Sequence, residues 1–243
     1  MHRQPLYADD LAYIHHAGFG DFARNAAPEL LRILRRAGIC GGRLVDLGCG
    51  SGIWGRAAQR AGFEVIGVDQ SRAMIRLARR VSPRSRFHLG SIYDFQLPPC
   101  DAVSIIGEGL NYISPDAAPP PPARLFARVA RALRPGGLFV FDVLVREIGP
   151  INYPAWRSGE DWAVLVRVTE DRSRRRLQRH ITTFRKVGST FRRSEETHLV
   201  RLFARAGLER ALRQAGFKVR VSRRYGKLRL GPRRLAFVAR KQP

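Results

Sequence analysis

The run Val45-Asp46-Leu47-Gly48-Cys49-Gly50-Ser51-Gly52 ends a buried-strand pattern on an acid and passes at once into a glycine turn. Glycine lets backbone lie against a ligand where a Cβ would intrude, and the helix that follows begins with its N–H groups aimed at that ligand. A second acid, Asp69, closes the next strand. That spacing suits a carboxylate gripping ribose hydroxyls. Two acids flanking such a turn predict a site for a nucleoside-bearing cofactor.

Gly50-Ser51-Gly52-Ile53-Trp54-Gly55 also spells the G-x-G-x-x-G of dinucleotide enzymes, so a nicotinamide or flavin remains an alternative. Asp46 argues against it, because a pyrophosphate gains nothing from a nearby anion. An anion there suits a cofactor carrying an ammonium group. The acid followed by Gly48 and Gly50 resembles the first motif of the class I S-adenosylmethionine-dependent methyltransferases. The turn Leu133-Arg134-Pro135-Gly136-Gly137 ahead of an apolar strand is a further likeness. The resemblance spans most of residues 43–145 and 200–243. It implies an α/β, Rossmann-like fold: seven mostly parallel strands, helices on both faces and a reversed last strand.

Position by position, the same resemblance implies roles. Asp46 would hold the methionyl ammonium, directly or through water, while Gly48 and Gly50 would lie against the carboxypropyl chain. Asp69 would accept both ribose hydroxyls, and Gln70 would flank the adenine. Ser91, with Ile92 beside it, stands where many members carry an acid near the adenine amine, a departure from the pattern; Asp94 lies too far along to replace it. Gly107 opens the loop after strand four that faces the transferred methyl. Glu108 is then the candidate general base, or an anchor for a cationic amine.

The elements that must position these residues follow from periodicity and punctuation. Residues 8–37 read as helical, with Pro28 suited to a first turn and Gly38 to an end cap. Strand one covers 43–47, its helix 51–61, a serine-capped helix 71–80, and strands 86–89 and 101–106. The prolines in 114–122 read as a stiff spacer, before a helix bearing Leu125, Phe126, Val129 and Leu133. Between 146 and 199 the pattern turns β-branched and polar, which predicts three antiparallel strands over 162–169, 174–185 and 190–199. So polar a sheet is expected to form a lid over the main sheet rather than a core. The expected organisation is an N-terminal helical cap (1–42), a cofactor-binding core (43–145), the lid (146–199) and the end of the core (200–243).

Cap and lid would then enclose the acceptor. His15 on the cap and His198 on the last lid strand are candidate catalytic groups, and Tyr13, Tyr112 and Trp162 candidate substrate contacts. The antiparallel insert ahead of the last helix resembles the lid of small-molecule methyltransferases, and that likeness implies a small-molecule acceptor, an amine, hydroxyl or carboxylate.

Composition bounds the alternatives. The 243 residues suffice for one α/β domain with an appendage. No apolar run reaches membrane-spanning length and Met1-His2-Arg3-Gln4-Pro5 carries no signal-peptide stretch, so a cytoplasmic protein without membrane contact is expected. Cys40, Cys49 and Cys100 fit neither complete pairing nor a zinc pattern, so no metal is expected. The net charge is +24, yet lysine occurs only at 186, 218, 227 and 241; arginines dispersed over helices read as a solvated surface more than a phosphate-binding design. A nucleic-acid-directed methyltransferase is the alternative. Base-amine enzymes resembling the family carry an Asn/Asp-Pro-Pro-aromatic loop after strand four, where this chain has Gly107-Glu108-Gly109-Leu110-Asn111. A non-catalytic cofactor-binding module is a third reading, although nothing between Asp46 and Asp69 looks degenerate.

Overall fold

The computed structural model describes residues 6–114, 120–147, 149 and 151–242. Two helices come first, α1 (Asp9–Phe19) and α2 (Asp21–Arg36). Then follow β1 (Gly42–Leu47), α3 (Ile53–Arg60), β2 (Phe63–Asp69), α4 (Arg72–Val81), β3 (Arg86–Leu89) and β4 (Cys100–Ile105). A 3-10 turn at Gly109–Asn111 leads into the short β5 (Tyr112–Ile113), followed by α5 (Pro122–Ala132) and the long β6 (Leu133–Leu144). Next come β7 (Asn152–Ser158), β8 (Trp162–Asp171), β9 (Arg176–Val187) and β10 (Thr190–Arg201). The chain closes with α6 (Arg205–Gln214), β11 (Phe217–Ser222), the hairpin β12 (Arg224–Tyr225) and β13 (Leu228–Arg229), and β14 (Arg234–Lys241).

The main sheet has the order β11-β14-β6-β4-β1-β2-β3. β14 runs antiparallel to both neighbours, and the pairs from β6 through β3 are parallel. The order reverses between β1 and β4, which places a crevice beyond their C-terminal ends. Strand alternation sorts the core into two layers. Val45, Leu47, Phe139, Phe141 and Phe237 face α5 and α6 through Phe126, Val129, Leu208 and Leu212. Phe141 and Phe237 stack at 4.8 Å and 6°, and each such buried ring contributes roughly 1.5–3 kcal/mol. On the other face Leu44, Val65, Leu138 and Val140 pack on Leu30, Leu34, Trp54 and Ala58 of α2 and α3.

Several expectations need correction. The helical stretch 8–37 is two helices meeting at Gly20, where a Cβ would meet the His16 carbonyl at 2.7 Å. Pro28 sits inside α2 rather than in a first turn, forgoing one main-chain bond. Pro122 of the proline run starts α5, where its missing N–H costs nothing, while 115–119 lie outside the described residues.

The three antiparallel strands expected between 146 and 199 are present, but the second sheet has five, in the order β5-β10-β9-β8-β7. β7 is an exposed edge bearing Pro154, and β10 runs on to Arg201. Its polar composition hides a core after all. Val164 and Ile181 bury against Leu11, Ile14 and Trp162, and Val168, Leu177 and Val200 against Leu144 and Leu202.

Candidate active site

The turn after β1 has φ of 72° at Gly48 and 53° at Gly50, the left-handed region that glycine enters freely. A Cβ on Gly50 would meet nothing within 4 Å, and one on Gly48 only the Gly109 Cα at 3.8 Å. Both glycines line a cavity of about 1260 Å³ at the C-terminal ends of the parallel strands. Asp69 shares that wall: Oδ2 accepts the Gly50 N–H at 2.9 Å and Oδ1 the Ser71 N–H at 2.8 Å. These bonds hold the turn against the end of β2. Burial raises the Asp69 pKa, and the amides of Ser71, Gly50 and Gln70 partly offset it. Each oxygen keeps a second lone pair for a hydroxyl.

Asp46 lies beneath the turn rather than on the cavity wall. Oδ1 accepts Ser104 Oγ–H at 2.7 Å, and Ser104 in turn accepts Trp54 Nε1–H at 2.9 Å. Oδ2 is buried without a partner among the described residues. Burial pushes the pKa to about 7, opposed by the Ser104 hydrogen bond and helped by the charge of Asp69. Of the two routes expected for Asp46, only the indirect one suits this placement. A buried carboxylate oxygen without a donor is costly, and a water or cation settled over the turn would relieve it. With a turn open to a ligand and Asp69 beside it, the residues present fit S-adenosylmethionine.

Beyond β4, Gly107 and Glu108 turn left-handed, with φ of 75° and 67°. Asp142, fully buried near the end of β6, fixes that turn. Its Oδ1 accepts Gly107 N–H at 2.8 Å and Tyr225 O–H at 2.9 Å, and its Oδ2 accepts Glu108 N–H at 3.1 Å. Arg179 of β9 donates to Glu108 Oε2 at 2.8 Å, and Arg234 of β14 pairs with Oε1. Burial works to raise the Glu108 pKa, yet Arg179 and then Arg234 outweigh it and leave it below the ordinary glutamate value. A carboxylate shared by two guanidiniums is a weak proton acceptor and has no charge to spare for a cationic amine. Both expected roles are therefore revised: Glu108 ties the loop after β4 to the second sheet and to the last strand.

Above this floor, strand register sets Val168, Arg179 and His198 in one row across β8, β9 and β10, and Val166, Ile181 and Glu196 in the next. His198 is buried and lines the cavity. Its Nε2 lies 2.8 Å from Glu196 Oε2, and Nδ1 has no partner among the described residues. Glu196 also accepts the main-chain N–H groups of Tyr7 at 2.7 Å and Ala8 at 2.8 Å. Tyr7, itself left-handed with φ of 54°, receives Ser71 Oγ–H on its carbonyl at 2.7 Å. Its hydroxyl lies 2.7 Å from that of Tyr112, to which Arg179 donates at 3.3 Å. His15 meets the Tyr7 ring edge-on at 5.1 Å. Burial pushes the His15 pKa down to about 4, with His16 and His198 adding to the shift, so it is neutral at physiological pH.

Most of the expected site residues share this one cavity: Gly48, Gly50, Asp69 and Gln70 near the turn, Ser91, Ile92 and Gly107 beyond it. Glu108, Tyr112, His15 and His198 complete the other side. The Ser91 hydroxyl is engaged locally, accepting Tyr93 N–H at 3.1 Å. Tyr13 and Trp162 are not on the wall. Tyr13 donates to Asp161 at 2.7 Å under the Arg185 guanidinium, and Trp162 packs over Gly18 between α1 and β8. Tyr7, Arg179, Arg234, Asp142 and Glu196 escape a sequence reading. Only Asp142 left a signal, as a charge inside the apolar run of β6.

A glycine turn between two strand-end acids, at the switch point of a sheet with one reversed strand, defines a class I S-adenosylmethionine-binding fold. The methyltransferase-domain family matches residues 19–221, and the chain belongs to that family. Among its relatives, the dTDP-3-amino-3,6-dideoxy-alpha-D-glucopyranose N,N-dimethyltransferase of Streptomyces fradiae is 28% identical over 224 residues, 89% of this chain and 87% of that one. The ubiquinone biosynthesis O-methyltransferase of Alkalilimnicola ehrlichii is 31% identical over 116 residues, 45% of this chain; the match spans only 44% of that enzyme's length. Among solved structures, the sugar N-methyltransferase KedS8 from Streptoalloteichus superposes with a TM-score of 0.78 at 21% identity, covering 100% of this chain and 98% of that one. An S-adenosylmethionine-dependent methyltransferase from Clostridium acetobutylicum gives 0.78 at 17% identity, covering 96% and 98%. At such identities the two structures speak for the fold.

Proposed function

We propose that the protein moves a methyl group from S-adenosylmethionine to a small molecule, and that within the range of amine, hydroxyl and carboxylate the acceptor is an amine of a nucleotide-linked amino sugar. The observation that carries this reading is the continuity of the cavity, from the glycine turn to a compartment walled by Tyr7, His15, Tyr112 and His198. Its volume of about 1260 Å³ exceeds the roughly 300–1,000 Å³ of a single drug-sized ligand site, so donor and acceptor can sit together. The relative acting on a dTDP-linked amino sugar, similar over nearly the whole of both chains, supports the choice of acceptor.

When bound, the cofactor supplies an electrophilic methyl on sulfur, and the departing thioether needs no proton. The chain's residues are left with positioning, an effect that can supply roughly 7–11 kcal/mol. Asp69 and the glycine turn orient the donor, while the floor set by Asp142 and Glu108 and the row Val168–Arg179–His198 bound the acceptor. In this reading residues 1–42 are the cap, 43–145 and 200–243 the core, and 146–199 the lid. The free cysteines Cys40, Cys49 and Cys100 support a cytoplasmic setting. The test is incubation with S-adenosylmethionine and a nucleoside-diphosphate 3-amino sugar, read by mass spectrometry. Addition of one or two methyl groups is expected. An absence of heat-stabilisation by S-adenosylhomocysteine, with no methylated product, would refute it.

A further inference from the structure

The turn after β4 stands between the two sides of the cavity. Gly109 Cα lies 3.8 Å from where a Cβ on Gly48 would stand, so this turn packs against the one that receives the donor. Gly107 and Glu108 line the cavity, and the Glu108 carboxylate reaches across to Arg179 of the second sheet. Glu108 has a φ of 67°, which a residue other than glycine adopts where its surroundings hold it. What holds it is the buried side chain of Asp142 on β6, which accepts the main-chain N–H groups of Gly107 and Glu108. We propose that Asp142, backed by the Tyr225 hydroxyl, is a positioning residue for methyl transfer, and that as a carboxylate it holds the Gly107–Glu108 turn between donor and acceptor. The inference rests on the methyl-transfer reading above and names the group on which its geometry depends.

Three donors converge on the two oxygens. Oδ1 takes Gly107 N–H at 2.8 Å and Tyr225 O–H at 2.9 Å; Oδ2 takes Glu108 N–H at 3.1 Å and has Arg234 Nε 3.5 Å away. An ionised carboxylate has lone pairs for all of them. A proton on either oxygen would put an O–H where a donor already points, and the turn would lose an anchor. Burial raises the Asp142 pKa above its ordinary value. Arg234 of β14 and then the Gly107 N–H oppose that rise, the Glu108 charge adds to it, and the Tyr225 hydroxyl of β12 opposes it. Burial, and next the Asp142 charge, hold the Tyr225 phenol well above its ordinary range, so it remains a donor. The ionised form is lost as pH falls through the folded pKa, and taking away the Tyr225 donor moves that pKa upward. The far end of the loop is anchored separately. Asn111 Nδ2 donates to the Leu144 carbonyl and Oδ1 accepts the Leu144 N–H, both at 3.0 Å. A change at Asp142 therefore shifts Gly107 and Glu108 and spares the rest of the loop, while Asp69 and the glycine turn keep their own bonds.

The Gly107 and Glu108 amides can be followed through a pH titration in ¹H–¹⁵N spectra of the full chain, with and without S-adenosylhomocysteine. In the wild type both signals should move together at one midpoint as Asp142 takes up its proton. In Tyr225→Phe that midpoint should lie at higher pH. Amides indifferent to pH, or an unmoved midpoint, would overturn the proposal. Turnover of a nucleoside-diphosphate 3-amino sugar supplies the second measurement. Below the wild-type midpoint, kcat of Tyr225→Phe should lag by about tenfold for each unit the midpoint has moved, and the deficit should close as pH rises. The ionisation of the amine is common to both enzymes and cancels in their ratio. A deficit that is constant across pH, as lost packing would give, counts against the proposal. Asp142→Asn keeps the shape but turns an amide toward a main-chain N–H. It should bind S-adenosylhomocysteine as the wild type does and lose about 10²-fold in kcat. Wild-type kcat in this variant would also overturn the assignment. A wild type that binds no S-adenosylhomocysteine would strike the methyl-transfer reading instead, and the amide titration of the free protein, which needs no turnover, tells the two failures apart.

Discussion

At the scale of single residues, the proton on Asp46 links cofactor binding to pH. Its folded pKa of about 7 stands above the ordinary 3.8, so between those values the folded protein holds a proton that the unfolded chain has released. Its contribution to stability therefore falls as pH rises from about 4 to 7. A cation placed over the turn favours the ionised form, so binding S-adenosylhomocysteine near pH 6 should release close to one proton, as calorimetry in buffers of different ionisation enthalpy would show. Asp46→Asn should abolish that release. Glu108 has the opposite sign. Its folded pKa lies below 4.5, so its contribution is complete above that value and lost as pH falls through the folded pKa. Glu108→Gln leaves two guanidiniums facing a neutral amide and should cost about 3–5 kcal/mol in denaturant unfolding. A loss near zero would mean that Arg179 and Arg234 find other partners.

At the scale of elements, the docking of α1 against β8 to β10 ties the N-terminal helices to the second sheet. Gly18 of α1 lies so close to the Trp162 indole that an added Cβ would overlap it. Asp10, in the first turn of the same helix, accepts Arg192 Nε–H at 2.7 Å and Ser194 Oγ–H at 3.2 Å. Gly18→Ala should cost about 1–3 kcal/mol by overpacking. The loss should be local: amide exchange should quicken in α1 and on β8, while β1, β4 and β6 keep their protection. Uniform loss across the main sheet would show instead that α1 is part of the cooperative core.

At the scale of the whole molecule, the net charge of +24 acts at range on any polyanion. Retention on RNA or heparin is expected at about 50 mM salt and should collapse by about 200 mM, with a steep log–log dependence. Sequence-selective RNA binding that survives physiological salt would instead favour a nucleic-acid acceptor. None of the helices described is long and apolar enough to cross a membrane.

The parts legible in the sequence are those built from contiguous residues. The glycine turn, Asp46, Asp69 and the helix–strand alternation follow from local backbone preference and from apolar residues recurring with the period of their element. The number of main-sheet strands and the reversal of the last one came through likeness to a family, while their order came only with the fold, since connectivity alone leaves several orders open. Tertiary structure alone decided what long-range pairing creates. The second sheet hides a core because only one of its faces meets α1 and β6. Glu108 is an anchor rather than a base because Arg179 and Arg234, far along the chain, converge on it. His198 is fixed in place because Glu196, two residues away on the same face of β10, meets its Nε2 and is held in turn by Tyr7 and Ala8. Burial and charge neighbours set what a side chain can do, and neither exists until the chain has folded.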